Sequence, residues 1–384
     1  MTDYYRLISR AVMELGSAGE AERHGLYERA RAVLVSRLQE LDPPLDDIRR
    51  TKERLALEEA FRRVEARIEA ATERGLSFPE FDHHASVVAA LGRLAEALHQ
   101  QSHGARMQLT GGGAVRFAIA PSAADRDIAG SPTIERNHAD LRVRCAALDD
   151  MVQRAPWRPR WAGLLRAVDI LGGMLALKSP QTADRIGVVW SLVVSLRAYV
   201  EQSEDVRQNA REPDDALEPE VLHAVRDFVF AAAPWVRRFP SGRDLDSDVG
   251  TWVDDDSDFE QAAALLQRVE RQGLFGGDDA MIVAITLDAG RGGSVPAIRA
   301  RSWAHATTCN IGIVLVQALV AFAKTRIGAE GATFAAGAEV AQAIESVVVA
   351  SRDELVTLLS PLAPGIDTDT ACAALRDLVP VPPG

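Results

Sequence analysis

Apolar residues recur along most of this chain every three or four positions, the spacing that lines one face of a helix. Tyr5, Ile8, Val12 and Leu15 form a first stripe, and Gly16 stands where a helix C-cap would end it. Leu26, Ala30, Val33, Leu34, Leu38 and Leu41 form a second. It closes at Asp42-Pro43-Pro44, because proline lacks the amide hydrogen and pushes the residue before it out of helical geometry. A third helix is expected to start with Asp46 as its cap and to carry Leu57, Phe61, Val64 and Ile68 in a 4-3-4 seam. Glu58/Arg62 and Glu59/Arg63 stand at i,i+4 beside that seam, so its flanks are wet. A narrow apolar seam on a charged helix needs something to cover it. Packing against a neighbouring helix is the first expectation, a second copy of the chain the next, and another protein the third.

A fourth helix is expected from Asp82 to about Gln101, with Val87, Val88, Leu91, Leu94 and Leu98 on one face. The pattern then changes. Gly104, Gly111-Gly112-Gly113, Pro121, Gly130 and Pro132 fall among Ala, Ser and Asp, the composition of a connector. Inside it Val115, Phe117 and Ile119 alternate with Arg116, Ala118 and Ala120, which predicts one short strand or an extended arm. From about 136 the helical period returns, with candidate helices at 136–153, 159–177, 182–203, 217–236, 257–272, 303–326, 333–361 and 368–378. Residues 279–290 fit a buried strand or, with Asp278, Asp279 and Gly290 as caps, a helix, and the helical neighbours favour the helix. The reading is all-α with at most one or two short strands. Its parts are an N-terminal helical hairpin module (1–75), a helix (76–103), a Gly/Ala/Ser-rich connector (104–135) and a larger helical domain (136–384).

Composition supports this. Hydrophobic residues make up 47% and charged residues 26%, which excludes wholesale disorder, while aromatics at 5% leave Ala, Leu and Val to build the core. The net charge of -12 is uneven: residues 201–300 carry -11 and residues 101–200 carry +5. A net acidic chain is a poor non-specific ligand for nucleic acid, so no nucleic-acid partner is expected. Cys145, Cys309 and Cys372 are far apart and without zinc spacing, and the first fifteen residues lack an apolar core of the secretory kind. A cytoplasmic protein without a disulfide framework is therefore expected.

Trp303–Ala323 is 21 residues without a formal charge, flanked by Arg301 and Lys324. Its length permits a membrane span, but His305, Thr307, Thr308, Asn310 and Gln317 dilute it. A buried central helix is the first reading and a membrane-peripheral role the second. Ile186–Val200 is a similar, shorter run that carries Arg197.

Four constellations are candidates for chemistry. His99 and His103 at i,i+4 near the end of the fourth helix have the spacing of a transition-metal pair. Asp82-His83-His84, with Glu80, lies about 24 Å away at the helical rise and belongs to another site. Asp244, Asp246 and Asp248 alternate as at the start of a calcium loop, but Val249 takes the place of the required glycine and Asp255 that of the closing glutamate. At most a weak divalent cation is expected, and otherwise no cofactor. Gly290-Arg291-Gly292-Gly293-Ser294 could cradle phosphate yet lacks the lysine of a P-loop. Arg154, Trp157, Arg158, Arg160 and Trp161 form the most basic and aromatic patch. The simplest account of it is a helix connection whose tryptophans plug the core and whose arginines face the acidic 201–260 region.

The runs Asp3-Tyr4-Tyr5-Arg6-Leu7-Ile8, Leu26-Tyr27-Glu28-Arg29-Ala30-Arg31, Leu41-Asp42-Pro43-Pro44-Leu45 and Glu53-Arg54-Leu55-Ala56-Leu57-Glu58-Glu59-Ala60 resemble a segment at the start of many uncharacterised alphaproteobacterial proteins. The resemblance covers about 70 of the 384 residues. Phe239-Pro240-Ser241-Gly242-Arg243-Asp244-Leu245-Asp246 is similar to a turn that follows in some of them. The resemblance implies a bacterial, non-secreted, mostly helical protein and no catalytic residue. The expected function is that of a non-enzymatic interaction or scaffold protein, homo-oligomeric through the 46–71 seam that carries Leu57, Phe61, Val64 and Ile68. The alternatives are a metal-dependent enzyme and a membrane-peripheral effector.

Overall fold

The computed structural model describes residues 4–15, 19–39, 46–73, 77–101, 104–118, 123–156, 159–209, 216–247, 256–291, 294–326, 334 and 336–362. They form an all-α protein with sixteen α-helices and one two-stranded sheet. Two compact units result: Met1–Ala90 with Ala323–Thr333, and Leu91–Phe322 with Phe334–Gly384.

The first unit holds α1 (Tyr4–Glu14), α2 (Glu20–Gln39), α3 (Asp47–Glu73) and the opening turns of α4 (Phe78–Ala97). Asp46 caps α3 as its sequence position requires, its carboxylate accepting from the Arg49 amide at 2.7 Å. Ile8 and Val12 of α1 and Tyr27, Leu34 and Leu38 of α2 close over Leu57, Phe61 and Val64 of α3, with Ile68 packed at the edge. Val64 is fully buried, and the Tyr27 and Phe61 rings stack at 4.4 Å between centroids. The seam is thus covered within its own chain, so it is not an exposed surface waiting for a second copy. α4 begins at Phe78, four residues before Asp82. Asp82 instead accepts from the Tyr5 hydroxyl at 2.9 Å and pairs with Arg67.

The second unit begins with the hairpin β1 (Met107–Leu109) and β2 (Val115–Phe117), antiparallel, with Met107 opposite Phe117 and Leu109 opposite Val115. Its turn carries Gly113 at φ 82°, a left-handed backbone that favours glycine. α5 (Ala123–Ala129) follows. The stretch expected as a bare connector therefore carries a hairpin and a helix. The predicted strand finds its partner in Met107–Leu109, three residues too short to announce themselves by alternation. Ile119 lies outside the described residues.

α6 (Pro132–Arg154) starts on Ser131, whose hydroxyl accepts from the Ile134 amide, with Pro132 at the first helical position. After it come α7 (Ala162–Leu175), α8 (Ser179–Ala183), α9 (Ile186–Asn209), α10 (Pro219–Val236), α11 (Pro240–Ser247), α12 (Asp256–Arg271), α13 (Gly277–Ala289), α14 (Val295–Arg326), α15 (Ala338–Ala350) and α16 (Arg352–Leu359). α9 packs against α7, α10 and α13, α6 packs against α7 and α10, and α12 packs against α16.

Several expected bounds shift. The apolar run 279–290 is helical, as its N-terminal acids suggest. The Phe239–Gly242 turn is the entry to α11, because proline at a helix start loses no hydrogen bond. Residues 333–361 hold two helices, divided at the buried Ser351. Residues 368–378 lie outside the described residues.

α14 is the axis of this unit. From Ala300 to Val320 only His305 and Gln317 escape full burial. It is long and apolar enough to cross a membrane by length and composition, and 78% of its apolar window is buried inside the protein. Its polar residues face backbone. Asn310 accepts from the Gln101 amide at 2.5 Å and donates to the carbonyls of Gln101 at 3.1 Å and Ala105 at 2.8 Å. Thr307 accepts from the Ala105 amide at 2.9 Å. These bonds fasten Gln101 and Ala105 to the helix, which is why a polar helix middle is tolerated in a core.

Candidate functional site

Of the proposed metal ligands, the structure describes His99 and Asp244 with their side chains. α4 ends at Ala97, so His99 lies beyond the helix, its Nδ1 on the Ala97 carbonyl at 2.9 Å. His103 lies outside the described residues. Asp244 sits within α11 instead of on an open calcium-type loop. The Asp246 side chain and Asp248 fall outside the described residues. Among the described residues no three His, Cys, Asp or Glu side chains gather as metal ligands. Cys145 and Cys309 are buried, and burial pushes the Cys145 thiol up to about 12, so it stays protonated.

The basic-aromatic patch divides. Trp161 is buried with its ring edge-on to Tyr199 at 6.2 Å, and the Arg160 guanidinium lies 5.6 Å from the Trp161 ring. Arg154 pairs with Asp150 on its own helix at 2.7 Å. An ion pair to the 201–260 region is made by Arg144, whose guanidinium meets Asp227 at 2.6 Å. Trp157 and Arg158 lie outside the described residues. Gly290 ends α13 with Arg301 packed on it, the guanidinium donating to its carbonyl at 3.1 Å, so no phosphate cradle opens at that glycine.

A cleft of about 330 Å³ in the first unit is lined by Glu20, His24, Tyr27, Glu58, Phe61 and Glu65. Its acids are largely committed. Arg31 binds Glu58 through two nitrogens at 2.6 and 2.7 Å and holds that carboxyl below the usual range. Burial raises the Glu65 pKa, but hydrogen bonds from Arg23 at 3.0 Å and Tyr27 at 2.6 Å outweigh it and lower it overall. These bonds stitch α2 to α3.

The second unit buries polar groups in pairs. Tyr199 donates to Asp288 at 2.8 Å, and its phenol is pushed far up by burial and by that carboxylate. His138 meets Thr182 at 3.0 Å, and burial lowers its pKa. Asp279, at the start of α13, accepts from the Phe117 amide at 3.1 Å with the Arg116 guanidinium 3.9 Å away, and so holds β2 against α13. Burial is the largest influence on Asp279 and raises its pKa despite both partners.

A carboxyl raised in the folded state binds its proton more readily there than in the unfolded chain. Its stabilising contribution is full below the unfolded pKa and falls as pH rises through the folded value. Asp279→Asn keeps the acceptor and removes the charge. Its melting temperature, measured from pH 4 to pH 8, is expected to gain on wild type as pH rises. A constant difference across that range would refute the assignment.

Between α9, α10 and the start of α14 lies a recess of about 200 Å³. Trp190, Val193, Val194 and Arg197 reach it from α9 at i, i+3, i+4 and i+7, one stripe of that helix. Arg237 stands at the C-terminal end of α10, and Arg299 one turn into α14. Three of the described residues that line the recess are arginines, and Arg237 and Arg299 are engaged in further interactions. Between Val188 and Val200, Arg197 is the single residue not buried. The sequence offered one signal of this, a lone charge in the apolar run Ile186–Val200, but not that two other helices bring arginines to it.

Comparison with family models, curated proteins and solved structures gave no match. The fold and these sites define the class of the molecule no further than an all-α protein of two units.

Proposed function

We propose that this chain is a non-enzymatic helical interaction protein that associates with itself through the outer face of its N-terminal bundle. The observation that supports this is the placement of Ile48 and Leu55, 70% and 63% exposed, two turns apart on α3. They lie on the side away from Leu57 and Val64, whose face is already closed by α1 and α2. Removing such side chains from water stabilises an interface by about 1.5–3 kcal/mol each when burial is complete. The rest of that helix surface is charged and ion-paired, as Arg62 with Glu59 at 2.9 Å, which limits contact to the apolar positions. The interface therefore differs from the seam expected at Leu57, Phe61, Val64 and Ile68.

Sedimentation equilibrium on the full chain tests it. Wild type is expected above the 41.5 kDa monomer mass. Ile48→Asp/Leu55→Asp is expected at that mass with unchanged helicity. A monomeric wild type at all concentrations, or an unaltered assembly in the double variant, refutes the reading.

A further inference from the structure

We propose that the buried His138 is an acid-sensitive latch: on taking up a proton it releases α8, and with it α5 and the start of α11, from the body of the larger unit. The latch is a chain of hydrogen bonds. Thr182 of α8 has one hydroxyl proton, and it goes to the Met174 carbonyl at 3.0 Å, with the Lys178 carbonyl at 3.4 Å as its alternative. The hydroxyl oxygen is left to accept from the His138 imidazole, 3.0 Å away. That fixes the tautomer: Nε2 carries the proton and Nδ1 is the bare, basic nitrogen. The residue is 5% exposed, with its ring 5.7 Å from the Trp235 indole between centroids. A second proton, on Nδ1, makes a buried cation that no carboxylate among the described residues receives.

The neighbouring charges do not rescue that cation. α8 carries no charged side chain. Asp125 of α5 is buried but taken up by Ser241, through its amide at 3.3 Å and through its hydroxyl. Arg126 and Asp127 of α5 and Arg166 and Asp169 of α7 are exposed, as are Arg237 and Arg238 beyond Trp235. On α6 itself Glu135 and Arg142 stand one turn to either side of the imidazole, and Arg142 acts on it with a charge of the same sign. Burial first, and Arg142 second, hold the imidazole below its ordinary value. The fold therefore stabilises the neutral ring. That contribution is complete above the ordinary imidazole pKa of about 6.5 and is lost as pH falls through the lower, folded value. The relief is local, because α8 has five residues and α5 has seven. The Ser179 hydroxyl ties α8 to the Ala129 carbonyl of α5 at 3.1 Å, and Asp125 of α5 caps α11 through Ser241, so movement of α8 passes to both.

Hydrogen exchange of the full chain between about pH 5 and pH 8, corrected for the intrinsic rate at each pH, tests the latch. The amides of Thr182 and Asp184, bonded to the carbonyls of Lys178 and Pro180, report on α8, and those of Gly130 and Arg243 on α5 and α11. Below about pH 6.5 their corrected exchange is expected to rise by up to about tenfold per pH unit, the slope of one proton, while α9 and α13 keep their protection. His138→Gln keeps a neutral N–H donor toward Thr182 and is expected to hold these amides at one level of protection across the range. The imidazole resonance of His138 in the wild type gives a readout that needs no variant: followed by NMR, it is expected to titrate below the ordinary value and in step with the exchange. The proposal is overturned if α8 stays protected in acid, if α9 and α13 open together with it, if His138→Gln opens as the wild type does, or if the imidazole titrates at or above its ordinary value.

Discussion

Replacing Val64 with aspartate is expected to unfold the N-terminal bundle. Val64 is fully buried where α1, α2 and α3 meet, and Ile8, Tyr27, Leu57 and Phe61 belong to the same cluster. A carboxylate there either stays charged without a partner or takes up a proton and remains an unsatisfied polar group. Either route costs several kcal/mol, a large share of the stability of a unit this small. Hydrogen exchange on the full chain reads the effect locally. Amides of Tyr4–Glu14, Glu20–Gln39 and Asp47–Glu73 are expected to lose protection, while those of α9 and α13 keep theirs. If protection survives and only the sedimenting mass changes, the seam is an intermolecular surface and the description of the bundle fails. The conservative Val64→Ala should fall between, at about 1–3 kcal/mol.

Gly104→Val is the second large effect. A Cβ at Gly104 would stand 2.6 Å from the Ala306 carbonyl carbon and 2.6 Å from the Thr307 nitrogen. Both are backbone atoms in the middle of α14, a buried helix that cannot give way, so the backbone at Gly104 and Ala105 must lift instead. Lifting it breaks the bonds of Asn310 to Gln101 and Ala105 and of Thr307 to Ala105. Each lost buried hydrogen bond costs about 1 kcal/mol, and more where its partner is left unsatisfied. A drop in melting temperature well beyond that of Gly111→Ala is expected, since a Cβ at Gly111 meets nothing within 4 Å. Equal effects at the two glycines would show that the close approach of chain to helix is wrong.

These two sites mark where sequence reading succeeded and where it stopped. The seam of α3 was legible because Leu57, Phe61 and Val64 recur at helical spacing, a property of local sequence alone. What covers it was not, since coverage depends on how α1 and α2 fold back. The hairpin was half legible: Val115 and Phe117 alternate, but Met107–Leu109 is too short for its pattern to stand out. Its anchors come from Asp279, Thr307 and Asn310, more than 160 residues away. The turn signal at Phe239-Pro240 does separate two helices, and it shows that proline marks a helix start as readily as a stop. The arginine recess was the least legible, because Arg197, Arg237 and Arg299 are each ordinary in sequence and meet only in the folded chain. The paired aspartates and histidines had a spacing that suggested ligation, and of them the structure places Asp244 in α11 and His99 beyond the end of α4.

The fastening of Gln101 and Ala105 to α14 also bears on how the chain is made. A ribosome delivers Gln101 and Ala105 some two hundred residues before Thr307 and Asn310, the partners that satisfy their amides and carbonyls. During that interval the entry to the hairpin stays unfastened, with only Asp279 and Leu274 arriving earlier to hold β2, and the apolar walls meant to surround α14 stay without their centre. Maturation of the larger unit therefore waits on its late-emerging central rod, and premature termination before Asn310 would release a product with an open interior, a natural target for chaperones and proteases.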